Sequence, residues 1–159
     1  MSILETILSH DTVVPIKKLA DVTVEEDCGG IEVDLTNHTW NDHAFVLIHF
    51  TPAPENNAPN CNAFFNNGGS NCGTCYRLDD TSSSAINYLI VSDYGMYFSM
   101  LLHIGHKTNQ VLNGIGWSYS GVYAITSNMS TQTLKKLTVG NTNGTPMKAG
   151  SRLEIIGIF

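Results

Sequence analysis

The stretch GMYFSMLLHI, residues 95–104, decides how the chain is read. At a period of two, Met96, Phe98, Met100, Leu102 and Ile104 line one face while Tyr97, Ser99 and His103 sit on the other, which is the pattern of a strand laid over a core. A helix is the rival reading. Glycines at 95 and 105 bound the run and its aromatic content suits a pleated surface, so a strand is predicted.

The same alternation returns on both sides of this run. From Val13 to Phe50 the short runs TVVPI, DVTVEE, IEVDL and HAFVLIHF are separated by Asp, Gly and Asn punctuation. In IEVDL, Ile31, Val33 and Leu35 share one face and Glu32 and Asp34 the other, so one side is wet. Ala44 to Phe50 is apolar on both faces, which predicts a central strand covered on both sides. INYLIVS precedes the deciding stretch, GVYAITS and TLKKLTV follow it, and NTNG makes a turn before a closing strand from Ser151. Roughly eight to ten strands without a convincing crossover helix predict an all-β fold, a single antiparallel β-sandwich or jelly roll. A short helix over residues 3–9 is compatible with it.

Composition agrees. At 159 residues and 42% hydrophobic, the chain suits one domain, 1–159, around one core. Charged residues make up only 14%, against about 25% in an average globular protein, and Gly, Asn, Ser and Thr are abundant. The net charge of −6, with Lys and Arg gathered no further than the pairs Lys17-Lys18 and Lys135-Lys136, offers a nucleic acid no basic stripe. No run reaches the length of a membrane span, and MSILETILSH lacks the basic start of a signal peptide. A soluble product made in a cytosol is expected.

The segment 51–84 differs in kind. It holds Pro52, Pro54 and Pro59, Gly68-Gly69, many asparagines and three of the four cysteines, and reads as a long loop rather than regular structure. Cys72 and Cys75 form a C-x-x-C pair with Cys61 upstream and Cys28 further off. A structural zinc, a disulfide within the loop and unbonded thiols all remain open, although the second close pair of a zinc ribbon is missing. No other cofactor is implied.

No catalytic signature emerges. His10, His38, His43, His49, His103 and His106 form no HExxH, and a lone His on an apolar strand is more often a packed, hydrogen-bonded residue than a ligand. The acidic clusters Glu25-Glu26-Asp27 and Asp79-Asp80 read as solvated turns or at most a weak calcium site. No serine has a G-x-S-x-G frame and NNGGSNCGTC lacks the lysine of a phosphate loop. What remains is aromatic and amide-rich surface. Trp117, Tyr119, Tyr76, Asn66 and Asn67 are the candidate ligand-binding residues, suited to sugar hydroxyls or a flat protein partner, while Trp40 and Trp117 each have a core reading as well.

In the closing strand, SRLEIIGIF, Leu153, Ile155, Gly157 and Phe159 share a core face. The opposite face begins polar at Arg152 and Glu154 and turns apolar at Ile156 and Ile158. A second sheet or a neighbouring subunit must cover that end, so Ile156, Ile158 and Phe159 are candidate oligomer-interface residues. The ending LKKLTVGNTNGTPMKAGSRLEIIGIF, residues 134–159, resembles the closing hairpin of small β-sandwich structural proteins from tailed bacteriophage particles, where Gly-Ser-Arg followed by alternating aliphatics and a Gly recurs as the last strand. The resemblance implies a virion protein, typically a homotrimer, acting as a tail or fibre receptor-binding head or as a capsid decoration protein, and it carries over no catalytic residue. The chain departs from the fibre pattern in having no repetitive shaft and in carrying the cysteine loop. Attachment then falls to another virion protein or to residues 1–20. Its ligand is expected to be a host surface glycan or another virion protein; a free lectin-like carbohydrate-binding module is the alternative.

Overall fold

The computed structural model describes residues 15–40, 44–54, 60–66, 73–78, 89–93, 97–104, 113–118, 121–127, 134–141 and 144–159. Among them run eleven strands: β1 (Ile16–Thr23), β2 (Gly30–Asp34), β3 (Ala44–Thr51), β4 (Asn60–Phe65), β5 (Gly73–Arg77), β6 (Leu89–Asp93), β7 (Phe98–Ile104), β8 (Asn113–Ser118), β9 (Gly121–Ser127), β10 (Lys136–Asn141) and β11 (Arg152–Ile158). They form two antiparallel sheets, a large one in the order β1-β11-β3-β7-β8-β9-β5 and a small one in the order β2-β10-β4-β6. The fold is an all-β sandwich.

The alternation seen in sequence sets the inner face. Val46, Ile48 and Phe50 on β3, Phe98, Met100 and Leu102 on β7, and Leu153 and Ile155 on β11 are buried against Ile31, Val33, Leu137, Val139, Ala63 and Phe65 of the small sheet. Burying such side chains stabilises by about 1.5–3 kcal/mol each. The deciding stretch is therefore an interior strand, with its predicted face inward from Phe98 to Ile104.

Three expectations need correction. The segment 51–84 is not a loop throughout, since β4 and β5 lie in it and Ala63 and Phe65 of β4 are core residues. Residues 16–20 are no free attachment segment, because they form β1 and pair with β11 from Ile16↔Ile158 to Ala20↔Ile155. β3 is central but not covered on both sides: Ala44, Val46, Ile48 and Phe50 are buried, while Phe45, Leu47 and His49 are only half-buried. The expected helix at 3–9 lies outside the described residues.

Trp40 takes the core reading. Its ring is 2% exposed, its Nε1 donates to the Leu134 carbonyl at 2.8 Å, and Phe159 stacks on it at a centroid distance of 5.4 Å and an interplanar angle of 25°. Gly157 makes room for this, because a Cβ there would stand 2.7 Å from the Phe159 ring. Phe159 is thus packed against its own sandwich while remaining only half-buried.

A clasp of backbone bonds holds the turn before β11. Cys28 and Met147 exchange N–H···O bonds of 3.0 and 2.6 Å, Gly150 donates to the Val24 carbonyl, and buried Ser151 receives the Ala53 N–H on its hydroxyl at 3.0 Å. Asp27 joins it, accepting from Lys148 Nζ at 2.5 Å and from the Ala149 N–H at 3.1 Å. The acidic turn 25–27 thereby has a structural use at Asp27.

Candidate functional site

The face of the large sheet turned away from the core is where sequence and packing disagree most. On β8, NGIGWS, the inward positions are Gly114 and Gly116 and the outward ones are Ile115, 42% exposed, and Trp117, 38% exposed. This inverts the usual arrangement. Glycine is required inside because a Cβ at Gly116 would stand 2.6 Å from the Phe98 ring, and the large side chains of the strand, Ile115 and Trp117, are left on the outside.

Register extends this into a band. Ile16, Ile158, Phe45 and His103 are successive cross-strand neighbours over β1, β11, β3 and β7; beside them run Lys18, Ile156, Leu47, Leu101, Ile115 and Ala124, reaching β9. From β1 to β9 this spans five strand spacings, about 24 Å. None of Phe45, Leu47, Leu101, Ile156 or Ile158 belongs to the core cluster, and Ile16 is 70% exposed. Large contiguous apolar surfaces of this kind mark interaction sites.

Along one side of the band lies a row of different chemistry: Asp21, Glu154, His49, Ser99, Trp117 and Val122, again successive cross-strand neighbours. Arg152 and Lys18 hold its β1 end. Arg152 donates from Nε and Nη2 to the two Asp21 oxygens at 2.8 and 2.9 Å and from Nη2 to Glu154 Oε1 at 2.9 Å, and Lys18 Nζ reaches Asp21 at 2.7 Å and Glu154 at 3.5 Å. These bonds, from Arg152 first and then Lys18, hold the Asp21 carboxyl well below the usual carboxylate range.

A pH dependence follows from Asp21. Its contribution to stability is complete above the unfolded-state value, about 4, and is lost as pH falls through the lower folded value. Amide exchange in β1 is expected to be unchanged by this group between pH 7 and 5 and to accelerate only below about pH 4. Asp21→Asn should abolish that acid-linked step, and an identical profile in the variant would show that the network does not secure β1.

His49 sits at the centre of the row. Its Nδ1 lies 2.6 Å from Ser99 Oγ and its Nε2 lies 3.1 Å from Thr51 Oγ1. A serine beside a histidine suggests a nucleophile, but a hydrolytic triad needs a carboxylate on the second ring nitrogen, and here a threonine hydroxyl holds it. Glu154 pairs with His49 in register yet places its Oε1 on Arg152 and Lys18, and Ser99 is 5% exposed. The chain Ser99–His49–Thr51 fixes the imidazole. Tyr97 lies near it, with ring centroids 6.4 Å apart.

The sequence-predicted residues scatter. Trp117 is on the row and Ile156 and Ile158 are half-buried on the band, while Tyr76 lies on β5 with Ala124 as its cross-strand partner. Asn66 is a half-buried turn residue: at φ 52° its Oδ1 accepts the Lys135 and Lys136 N–H groups at 2.7 and 3.1 Å, tying the end of β4 to β10. Tyr119, Asn67 and Cys72 lie outside the described residues. Cys28 is a free thiol whose Sγ donates to the Gly30 carbonyl at 3.5 Å, which corrects any disulfide assignment for it, and Cys61 and Cys75 fall on strands of different sheets. No group of three His, Cys, Asp or Glu among the described residues is placed to hold a metal ion. Sequence reasoning missed Ile115, Tyr97 and Leu47; the Gly-Ile-Gly-Trp alternation was the available signal.

No protein-family model matches the chain and no curated protein matches it. Among solved structures, the CBM40 module of the Ruminococcus gnavus IT-sialidase bound to alpha2,3 sialyllactose is similar at 12% identity, over 87% of this chain and 92% of that one, with a TM-score of 0.34. SCP-B, a member of the Eqolisin family of peptidases in a complex with a tripeptide, is similar at 14% identity over 84% and 64% of the two chains, with a TM-score of 0.25. Likenesses of this size carry no argument about what this chain binds or does.

Proposed function

We propose that this chain is a binding and assembly protein rather than an enzyme, a β-sandwich that associates with copies of itself through the outer face of its large sheet. The inverted strand β8 carries the reading, with glycine turned to the core and Ile115 and Trp117 turned to the solvent. The band around it is nearly free of charge, as the centre of a protein interface is. The finer assignment, a surface component of a tailed-bacteriophage virion of the receptor-binding or capsid-decoration type, rests on the resemblance of residues 134–159, which also implies a trimer and other virion proteins as partners. A free lectin-like module is the second reading, favoured by the exposed rings of Trp117 and Tyr97.

The test is the native mass of the purified chain by light scattering. An oligomer is expected. Ile115→Asp, whose cross-strand neighbours are Leu101 and Ala124, should raise the dissociation constant by about a hundredfold or more, because it buries an unpaired charge. Ile156→Asp should act less strongly, since Lys18 is its cross-strand neighbour and offers the new carboxylate a partner. A monomeric wild-type protein, or an oligomer indifferent to both changes in variants that melt normally, would sink self-association through this face.

A further inference from the structure

The row beside the apolar band has the chemistry of a ligand site of its own. From Glu154 on β11 to Trp117 on β8 it crosses three strand spacings, about 14 Å, the length of a short oligosaccharide. Two aromatic residues are exposed, Trp117 at one end of the row and Tyr97 beside His49, with ring centroids 6.4 Å apart. At the Glu154 end, Glu154 Oε2 and Arg152 Nη1 have no partner among the described residues, although Oε1 and Nη2 are bonded to each other at 2.9 Å. That leaves an acceptor and a donor side by side, matched to a pair of adjacent hydroxyl groups. Between the ends stands the Ser99–His49–Thr51 chain, in which exposed Thr51 keeps spare hydrogen-bonding capacity.

The charges decide the class of ligand. Lys18 and Arg152 are balanced by Asp21 and Glu154 and all four are engaged with one another, so no net charge is left to select an ionic ligand. Ring faces next to neutral and self-compensated polar groups suit a molecule with apolar C–H faces and many hydroxyls. We infer that the row Glu154–His49–Trp117, with Tyr97 and Arg152, binds a neutral oligosaccharide, one ring stacked on Trp117 and a hydroxyl pair on Glu154 and Arg152. This rests on the reading of the chain as a binding protein, and since Trp117 also lies on the proposed self-association face, sugar and a second copy would compete for it.

The purified full chain would be applied to an array of neutral oligosaccharides with sialylated and uronic-acid oligosaccharides beside them, and the best neutral binder then titrated calorimetrically. Binding to a neutral sugar is expected. Trp117→Ala and Glu154→Gln should each weaken it by about tenfold, as loss of a stacking face or of one charge-assisted hydrogen bond does, while Gly29→Ala, where an added Cβ meets nothing within 4 Å, should leave affinity unchanged. Absence of binding to every neutral sugar, binding confined to the acidic sugars, or affinity indifferent to both site variants in normally melting protein would overturn the inference. Since assembly is read by mass and this site by heat, the two proposals fail separately.

Discussion

Replacing Trp40 by alanine is expected to lower stability by about 3–5 kcal/mol, whereas replacing Trp117 by alanine should change it by less than about 0.5 kcal/mol. Replacement of Trp40 removes three things at once: a buried ring, a stacking partner for Phe159, and the Nε1 donor to the carbonyl of Leu134. The orphaned carbonyl alone costs about 1–3 kcal/mol if water cannot reach it. Phe159 would also lose the surface that keeps its ring over Gly157. Trp40→Phe should recover much of the packing but not the hydrogen bond, so its loss should fall between those of wild type and alanine. Trp117, by contrast, stands on the outer face with Val122 and Ser99 as cross-strand neighbours and holds nothing in the core. Denaturant melts of the three variants check this, and equal losses at positions 40 and 117 would mean that the outer face is covered within the chain.

The two tryptophans show how far the sequence could be read. Both lie beside turn-forming residues, and each has a core reading and a surface reading on composition alone. Only pairing separates them, because burial of Trp40 depends on Leu134 and Phe159, more than ninety residues away in sequence. Strands β2, β3, β7 and β11 were legible since their inward positions hold large aliphatic or aromatic side chains at period two. β4 was hidden by its setting among Pro and Asn residues, where turn chemistry outweighs the short run of Ala63 and Phe65. β8 was hidden for a more interesting reason. Its period is two, but glycine occupies the core side, so a search for apolar residues facing inward finds them facing outward. The surface was half legible as well: Ile156 and Ile158 signalled a second apolar face, whereas His49, Ser99 and Arg152 come together only through register across β3, β7 and β11.

Gly116→Val should cost about 2–3 kcal/mol and, unlike the loss of Trp40, should damage the outer surface as well. Valine ordinarily favours a strand by up to about 1 kcal/mol over glycine, so propensity alone predicts stabilisation. Sterics override it. The added Cβ would lie 2.6 Å from Phe98 Cζ and 3.0 Å from Ile125 Cδ1, and both partners are at most 1% exposed. A buried ring in a close-packed core has nowhere to go, so β8 must move outward or Phe98 must leave its rotamer. β8 is bonded on both sides, to β7 and β9, which makes outward movement cost ladder hydrogen bonds too. Because Ile115 and Trp117 flank the substituted residue on the same strand, their positions shift with it. The expected result is a lower melting midpoint together with weaker self-association, in a variant whose exposed side chains are all unchanged. Gly29→Ala, where an added Cβ meets nothing within 4 Å, is the matched control and should leave both properties within about 0.5 kcal/mol of wild type. If Gly116→Val lowered stability while the native mass stayed at its wild-type value under folding conditions, the position of β8 would not matter to assembly, and the contact surface would have to be sought away from Ile115 and Trp117.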